Sequence, residues 1–143
     1  MDTTWKDILL VEDNPADVTL MQMAFRHYGH WPCRLYSVHD GEAALAFLRQ
    51  DGAYAGVPRP QLVLLDIGLP KLDGWQVLEI VRATPAVATL PVVMLTGTMM
   101  RRDEEQRARW QPLACFEKPM QLEKYLGLVA ELEKLMKATP SRE

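Results

Sequence analysis

The chain lacks an apolar run approaching the ~20 residues of a membrane span, a surplus of positive charge, and any close pair of cysteines. The first absence argues against an integral membrane protein. The opening Met1-Asp2-Thr3-Thr4-Trp5 has none of the character of a secretory signal. A formal charge of −3 offers no basic footprint to a phosphate backbone, so nucleic-acid binding is not expected. Cys33 and Cys115 lie far apart without CxxC spacing, which excludes a disulfide framework and a zinc knuckle. The expected compartment is a reducing cytoplasm. His27, His30 and His39 are not spaced as metal ligands. Internal repeats, low-complexity tracts and a linker are missing as well, so 143 residues are read as one domain of the usual ~150.

What is present is a regular alternation. Ile8–Val11, Leu62–Leu65, Val92–Leu95 and the weaker Leu113–Phe116 are short, continuous apolar runs, and Cys33–Val38 alternates more and suits a sheet edge. Continuous runs fit strands buried on both faces, hence a parallel sheet covered by helices. Between them lie helical patterns. Asn14 and Pro15 open the first, which runs to Gly29, and Gly41–Arg49 is rich in Ala and Leu. Trp75–Ala83, the charged Thr98–Trp110 and Gln121–Lys137 complete the set. Asp51–Pro60, with two glycines and two prolines, is a loop. Right-handed crossovers turn this βα alternation into a doubly wound five-stranded parallel α/β sheet, and an order of 2-1-3-4-5 would make the first and third strands neighbours at its switch point. The packed unit is expected over residues 6–137, with 1–5 and 138–143 as flexible ends and no effector domain.

Polar residues interrupt the apolar pattern in one kind of place. Glu12 and Asp13 end the first strand, Asp66 the third, Thr96 the fourth and Lys118 the fifth. Open α/β sheets bind ligands outside the carboxyl ends of their strands, where the strand order reverses. With the order above, Glu12, Asp13 and Asp66 converge there. At an effective dielectric of ~20 and ~5 Å, each carboxylate pair costs about 3 kcal/mol. Protonation, a lysine or a divalent cation must offset that repulsion. Oxygen-only ligands favour Mg²⁺, Lys118 supplies a compact cation and Thr96 a hydroxyl. A carboxylate so placed can act as a nucleophile toward phosphorus.

These residues carry a resemblance. Leu10-Val11-Glu12-Asp13-Asn14, the run Leu64 to Gly74 around Asp66, Val93-Met94-Leu95-Thr96-Gly97 and Glu117-Lys118-Pro119 together resemble the receiver domains of two-component response regulators. The Asp51–Pro60 loop, with its Pro58-Arg59-Pro60, is similar to that of single-domain regulators associated with bacterial phytochromes. The resemblance implies a flavodoxin-like receiver fold and a histidine-kinase partner, with a bacterial phytochrome as the candidate kinase. It makes Asp66 the acceptor of a phosphoryl group. Glu12, Asp13, Asp66 and the carbonyl of Gly68 would hold Mg²⁺, and Thr96 and Lys118 would bind phosphoryl oxygens. Gly97 would leave the acyl phosphate accessible, Pro70 and Gly74 would serve tight turns, and the peptide before Pro119 would be cis. The chemistry stops at self-phosphorylation and autodephosphorylation, so the chain is not expected to be an enzyme.

One position departs from the family. The aromatic residue usual three places before the lysine is replaced by Cys115, and Phe116 follows it. A one-residue shift on a strand turns a side chain to the other face. An aspartyl-phosphate phosphatase would need an acid two residues after Asp66, where Gly68 stands. A receiver-like binding module that is never phosphorylated remains the alternative. Output is expected through the fourth and fifth strand–helix units. In the last helix, Leu122, Tyr125, Leu126, Val129, Leu132 and Met136 form a core stripe. Leu128 and Leu135 widen its edge, which reads either as a broad core stripe or as the face of a homodimer through this helix and its neighbour from about Thr98 to Trp110.

Overall fold

The computed structural model describes residues 5–139. Strands β1 (Lys6–Val11), β2 (Cys33–Val38), β3 (Leu62–Asp66), β4 (Val92–Thr96) and β5 (Ala114–Glu117) form a parallel sheet in the order β2-β1-β3-β4-β5. Helices α1 (Pro15–Tyr28), α2 (Gly41–Arg49), α3 (Gly74–Arg82), α4 (Arg101–Trp110) and α5 (Leu122–Ala138) connect and cover it. This is the doubly wound order 2-1-3-4-5 expected of a receiver fold.

Successive strand residues face opposite ways, and that sorts the core into two layers. Leu9, Val11, Val63, Leu65, Val92 and Met94 pack against α2 and α3 through Phe47, Leu48, Trp75 and Leu78. Ile8, Leu10, Leu62, Leu64, Val93 and Leu95 pack against α1 and α5 through Met21, Phe25, Tyr125 and Val129. Burial on both faces is why these strands read as unbroken apolar runs.

Local signals set the helix ends. The Asn14 side chain accepts from the N–H groups of Ala16 and Asp17 at 2.9 and 3.4 Å, and Gly29 closes α1 at φ +68°. Asp73 and Gln76 form a capping box at the start of α3.

Several boundaries differ from the sequence reading. β5 starts one residue later than expected, with Leu113 outside it and Glu117 inside. It is a half-buried edge strand, so its apolar pattern is weaker. The charged helix begins at Arg101 rather than Thr98, because the Met100 N–H is taken by the Asp103 carboxylate at 2.9 Å. Leu128 is not at the edge of α5 but 6% exposed, since α5 packs on α1 as well as on the sheet. Leu135 stays half-buried, so the apolar face left for a partner is narrower than expected. The peptide before Pro119 is trans, against the family-based expectation, and trans is the favoured isomer for X-Pro by ~0.5–1 kcal/mol. Of the expected flexible ends, residues 1–4 and 140–143 lie outside the described residues, while Ala138 belongs to α5. Among the described residues no helix is long and apolar enough to cross a membrane.

Candidate functional site

The carboxyl ends of β1, β3, β4 and β5 bring the expected residues into one cleft. Asp66 and Thr96 are the last residues of β3 and β4. Lys118 directly follows β5, and its backbone N–H donates to the Thr96 carbonyl at 2.7 Å. Asp13, Asp66, Gly68, Thr96, Gly97 and Lys118 line an open cleft of about 660 Å³, together with Asp73, Arg102 and Asp103 from the α3 and α4 ends. Close packing behind the cleft keeps Asp66 in place. A Cβ on Gly74 would lie 2.5 Å from the Asp66 carbonyl oxygen, so the turn into α3 admits only glycine there. The need at Gly74 is close approach; the residue after Pro70 that adopts a positive φ is Lys71, at +64°. Gly97 faces open space, where an added Cβ would meet nothing within 4 Å.

Lys118 organises the charges. Its Nζ stands 2.6 Å from Glu12 Oε1 and 3.1 Å from Asp66 Oδ2. Glu12 Oε2 accepts from the Asn14 N–H at 3.1 Å, and Asp66 Oδ1 accepts from the Gly68 N–H at 3.1 Å. Glu12 is 2% exposed, and burial raises its pKa to about 7 with help from the Asp66 charge, although the Lys118 and Asn14 hydrogen bonds pull the other way. Burial alone would lower the pKa of Lys118. The hydrogen bond to Glu12 and the charges of Asp66 and Glu12 more than reverse that, so the ammonium is held charged. Thr96 Oγ1 donates to the Thr98 carbonyl at 3.1 Å, so its hydroxyl is committed to its own loop.

The donor set fits a hard divalent cation. Oxygens of Glu12, Asp13 and Asp66 lie within 4.8 Å of one another. Asp13 is exposed, and no described donor or cation pairs with it. Two buried carboxylates and one free one against a single lysine leave negative charge uncompensated. All-oxygen donors in that state suit Mg²⁺ or Mn²⁺.

Some residues at the site were not foreseen. Asp17, in the first turn of α1, reaches Lys118 Nζ at 3.3 Å. The first-turn position after an Asn-Pro cap was its only signal. Asp103, 6% exposed on a helix read as solvated, accepts from the Trp75 indole Nε1 at 3.0 Å. Its signal is weak, an acid three residues after Met100, where it caps the helix. Arg102 pairs with Asp73 at 2.7 Å across the cleft rim. Cys115 packs with the α2–α3 layer and Phe116 with the α1–α5 layer, so the aromatic ring does lie on the opposite face from the family position.

Comparison with known proteins agrees with this geometry. Residues 8–130 match the response regulator receiver domain model. Over 93 residues the chain is 46% identical to Response regulator Rcp1 of Synechocystis sp., covering 64% of this chain and 61% of that protein. It is 42% identical over 102 residues to the probable methanogenesis regulatory protein FilR2 of Methanothrix harundinacea, covering 71% of this chain and 63% of that one. Both matches thus span less than two thirds of the relative's own length. Among solved structures, the phosphorylated cyanobacterial phytochrome response regulator RcpA superposes with a TM-score of 0.86 at 35% identity, covering 96% of this chain and 98% of that one. The Mn²⁺-bound form of Rcp1 superposes with a TM-score of 0.83 at 35% identity, covering 96% and 99%. With the fold, the strand-end cluster and the family model in agreement, the chain belongs to the response regulator receiver domain family.

Proposed function

We propose that the chain is a single-domain phosphorylation switch in which Asp66 accepts a phosphoryl group from a sensor histidine kinase of the phytochrome class. The observation that carries this reading is the lysine placed at 3.1 Å from Asp66 within an otherwise acidic cluster. An Asp66 carboxylate oxygen attacks phosphorus and forms the new P–O bond. The P–N bond to the kinase histidine breaks, and its electron pair leaves on the imidazole nitrogen. Glu12, Asp13, Asp66 and the Gly68 carbonyl would hold Mg²⁺, which would supply positive charge to offset the cluster's repulsion of an anionic donor. Lys118 binds a phosphoryl oxygen as a point charge. Thr96 does so by turning its hydroxyl away from the Thr98 carbonyl.

The same reading places the receiver over residues 6–137 of a cytoplasmic signalling protein, with output on the β4–α4–β5–α5 face. Association of two copies through α5 belongs to it. Support comes from the half-buried β5 edge and the exposed Arg and Glu residues of α4. Trp75 reports on the site because Asp103, which holds its indole, lines the cleft. Beryllofluoride with Mg²⁺ should therefore change tryptophan fluorescence in the wild type and not in Asp66→Asn, and chelation should abolish the change. A full response from Asp66→Asn would remove Asp66 as acceptor.

A further inference from the structure

An ammonium has three N–H donors, and Lys118 has three carboxylate neighbours: Glu12 at 2.6 Å, Asp66 at 3.1 Å and Asp17 at 3.3 Å. It is fully engaged before any phosphoryl group arrives. To donate to a phosphoryl oxygen it must give up one partner. Glu12 is the shortest contact and is buried, so losing the ammonium would leave a carboxyl in the interior without the partner that water replaces at an exposed site. Asp66 carries the phosphoryl group itself. Asp17 is the longest contact, and its side chain is 24% exposed, so water can replace the ammonium there at the smallest cost.

Asp17 also leads away from the site. Its other oxygen, Oδ1, lies 3.5 Å from the Tyr125 hydroxyl, at the limit of a hydrogen bond. Tyr125 belongs to α5 and is 1% exposed, within the layer between the sheet, α1 and α5. Cys115, at the family's aromatic position, packs in the opposite layer.

We propose that Asp17 is a positioning residue. It holds Lys118 in the resting state, competes with the phosphoryl group for the ammonium, and on release closes on the Tyr125 hydroxyl. The state of Asp66 then reaches the α1–α5 layer by an exchange of hydrogen bonds, without the residue at 115. The inference rests on Asp66 being the phospho-acceptor. The competing explanation is that Asp17 only supplies an acid to the first turn of α1.

Beryllofluoride affinity at saturating Mg²⁺ separates the two, measured on wild type, Asp17→Asn, Asp17→Glu and the double variant Ala16→Glu/Asp17→Asn. Removing a partly exposed competing anion should tighten beryllofluoride binding about fivefold in Asp17→Asn. Asp17→Glu, which keeps the charge, should return to the wild-type value. The double variant restores a first-turn acid at exposed position 16 and should keep the tighter binding. The Tyr125 ring resonances should move on beryllofluoride addition in wild type and stay still in Asp17→Asn. Unchanged or weaker affinity in Asp17→Asn overturns the proposal, as does a wild-type affinity in the double variant. If wild type itself does not bind beryllofluoride, the acceptor reading falls and this inference with it. Wild-type binding with an unaffected Asp17→Asn removes this inference alone.

Discussion

Replacing Asp103 by alanine should cost more stability than a charged surface helix implies. Asp103 is the sole buried residue of α4, so this helix is not held by an apolar stripe. One oxygen accepts from the Trp75 indole at 3.0 Å and the other from the Met100 N–H at 2.9 Å. Water can replace the acceptor at exposed Met100, but Trp75 is 2% exposed and its N–H would be left without a partner. A hydrogen bond to a charged group contributes about 1.5–3 kcal/mol, and an orphaned buried donor costs about 1–3 kcal/mol. These overlap rather than add, so a loss of about 2–3 kcal/mol is expected. For a chain of this size that lowers Tm by about 4–10 °C. Urea unfolding followed by circular dichroism should show it. In a Trp75→Phe background, which has no indole to orphan, Asp103→Ala should cost about 1 kcal/mol less than in wild type. Glu104→Ala, exposed next door, should change stability by less than about 0.5 kcal/mol. Additive losses for Asp103→Ala and Trp75→Phe, or a negligible loss for Asp103→Ala alone, would refute the idea that this carboxylate anchors α4.

Gly74→Ala puts a Cβ 2.5 Å from the Asp66 carbonyl oxygen and 2.8 Å from the Ile67 Cα. Backbone must shift, so a loss of about 1–3 kcal/mol should accompany weaker beryllofluoride binding, and neither effect appearing would contradict the close-approach argument. Lys118→Ala strips the cation from buried Glu12 and Asp66, so it should destabilise the metal-free protein by about 3 kcal/mol. Since lysine is not a metal ligand, Mg²⁺ should still bind and should raise Tm more in this variant than in wild type; an equal rise counts against the charge balance described. The Tyr28 hydroxyl donates to Glu133 at 2.5 Å, and that bond, with Lys137, holds the Glu133 pKa below the ordinary carboxylate value. A depressed carboxylate pKa contributes stability above its unfolded value, lost as pH falls through the folded one. Tyr28→Phe should therefore cost about 1.5 kcal/mol at pH ~7 and progressively less as the pH falls through the folded-state pKa of Glu133, and a pH-independent cost would contradict the pairing. With Leu128 buried, Leu135→Glu is the fair test of association through α5, and sedimentation should show a dimer in wild type and a monomer in the variant. A wild-type monomer in both phosphorylation states removes the dimer.

What was legible in the sequence was whatever depends on runs and strand ends. Leu62 to Asp66 reads as a buried strand because both of its faces meet helices, and Glu12, Asp66, Thr96 and Lys118 stand out because each breaks an apolar run. Residues that act through three-dimensional approach gave no such signal. Asp17 and Lys118 are distant in sequence and meet only because the Lys118 side chain reaches from the end of β5 to the acids gathered at the ends of β1 and β3. Asp103 looks like any acid of a solvated helix until Trp75 on α3 is brought against it. A one-sided helical stripe places Leu128 at an edge, whereas α5 packs against both α1 and the sheet and buries it. Gly74 reads in the sequence as a turn residue, and its contact with the Asp66 backbone shows only in the packed turn.

Mass spectrometry after incubation with Mg²⁺ and a small acyl phosphate tests the acceptor assignment most directly. Wild type should gain one phosphoryl group, localised to the peptide containing Asp66, and should gain none when Mg²⁺ is chelated before the donor is added. Asp66→Asn should gain none under the same conditions. A phosphoryl group on Asp66→Asn at the wild-type level, or none on wild type with metal and donor in excess, would contradict the phospho-acceptor reading and leave a receiver fold that works by binding alone.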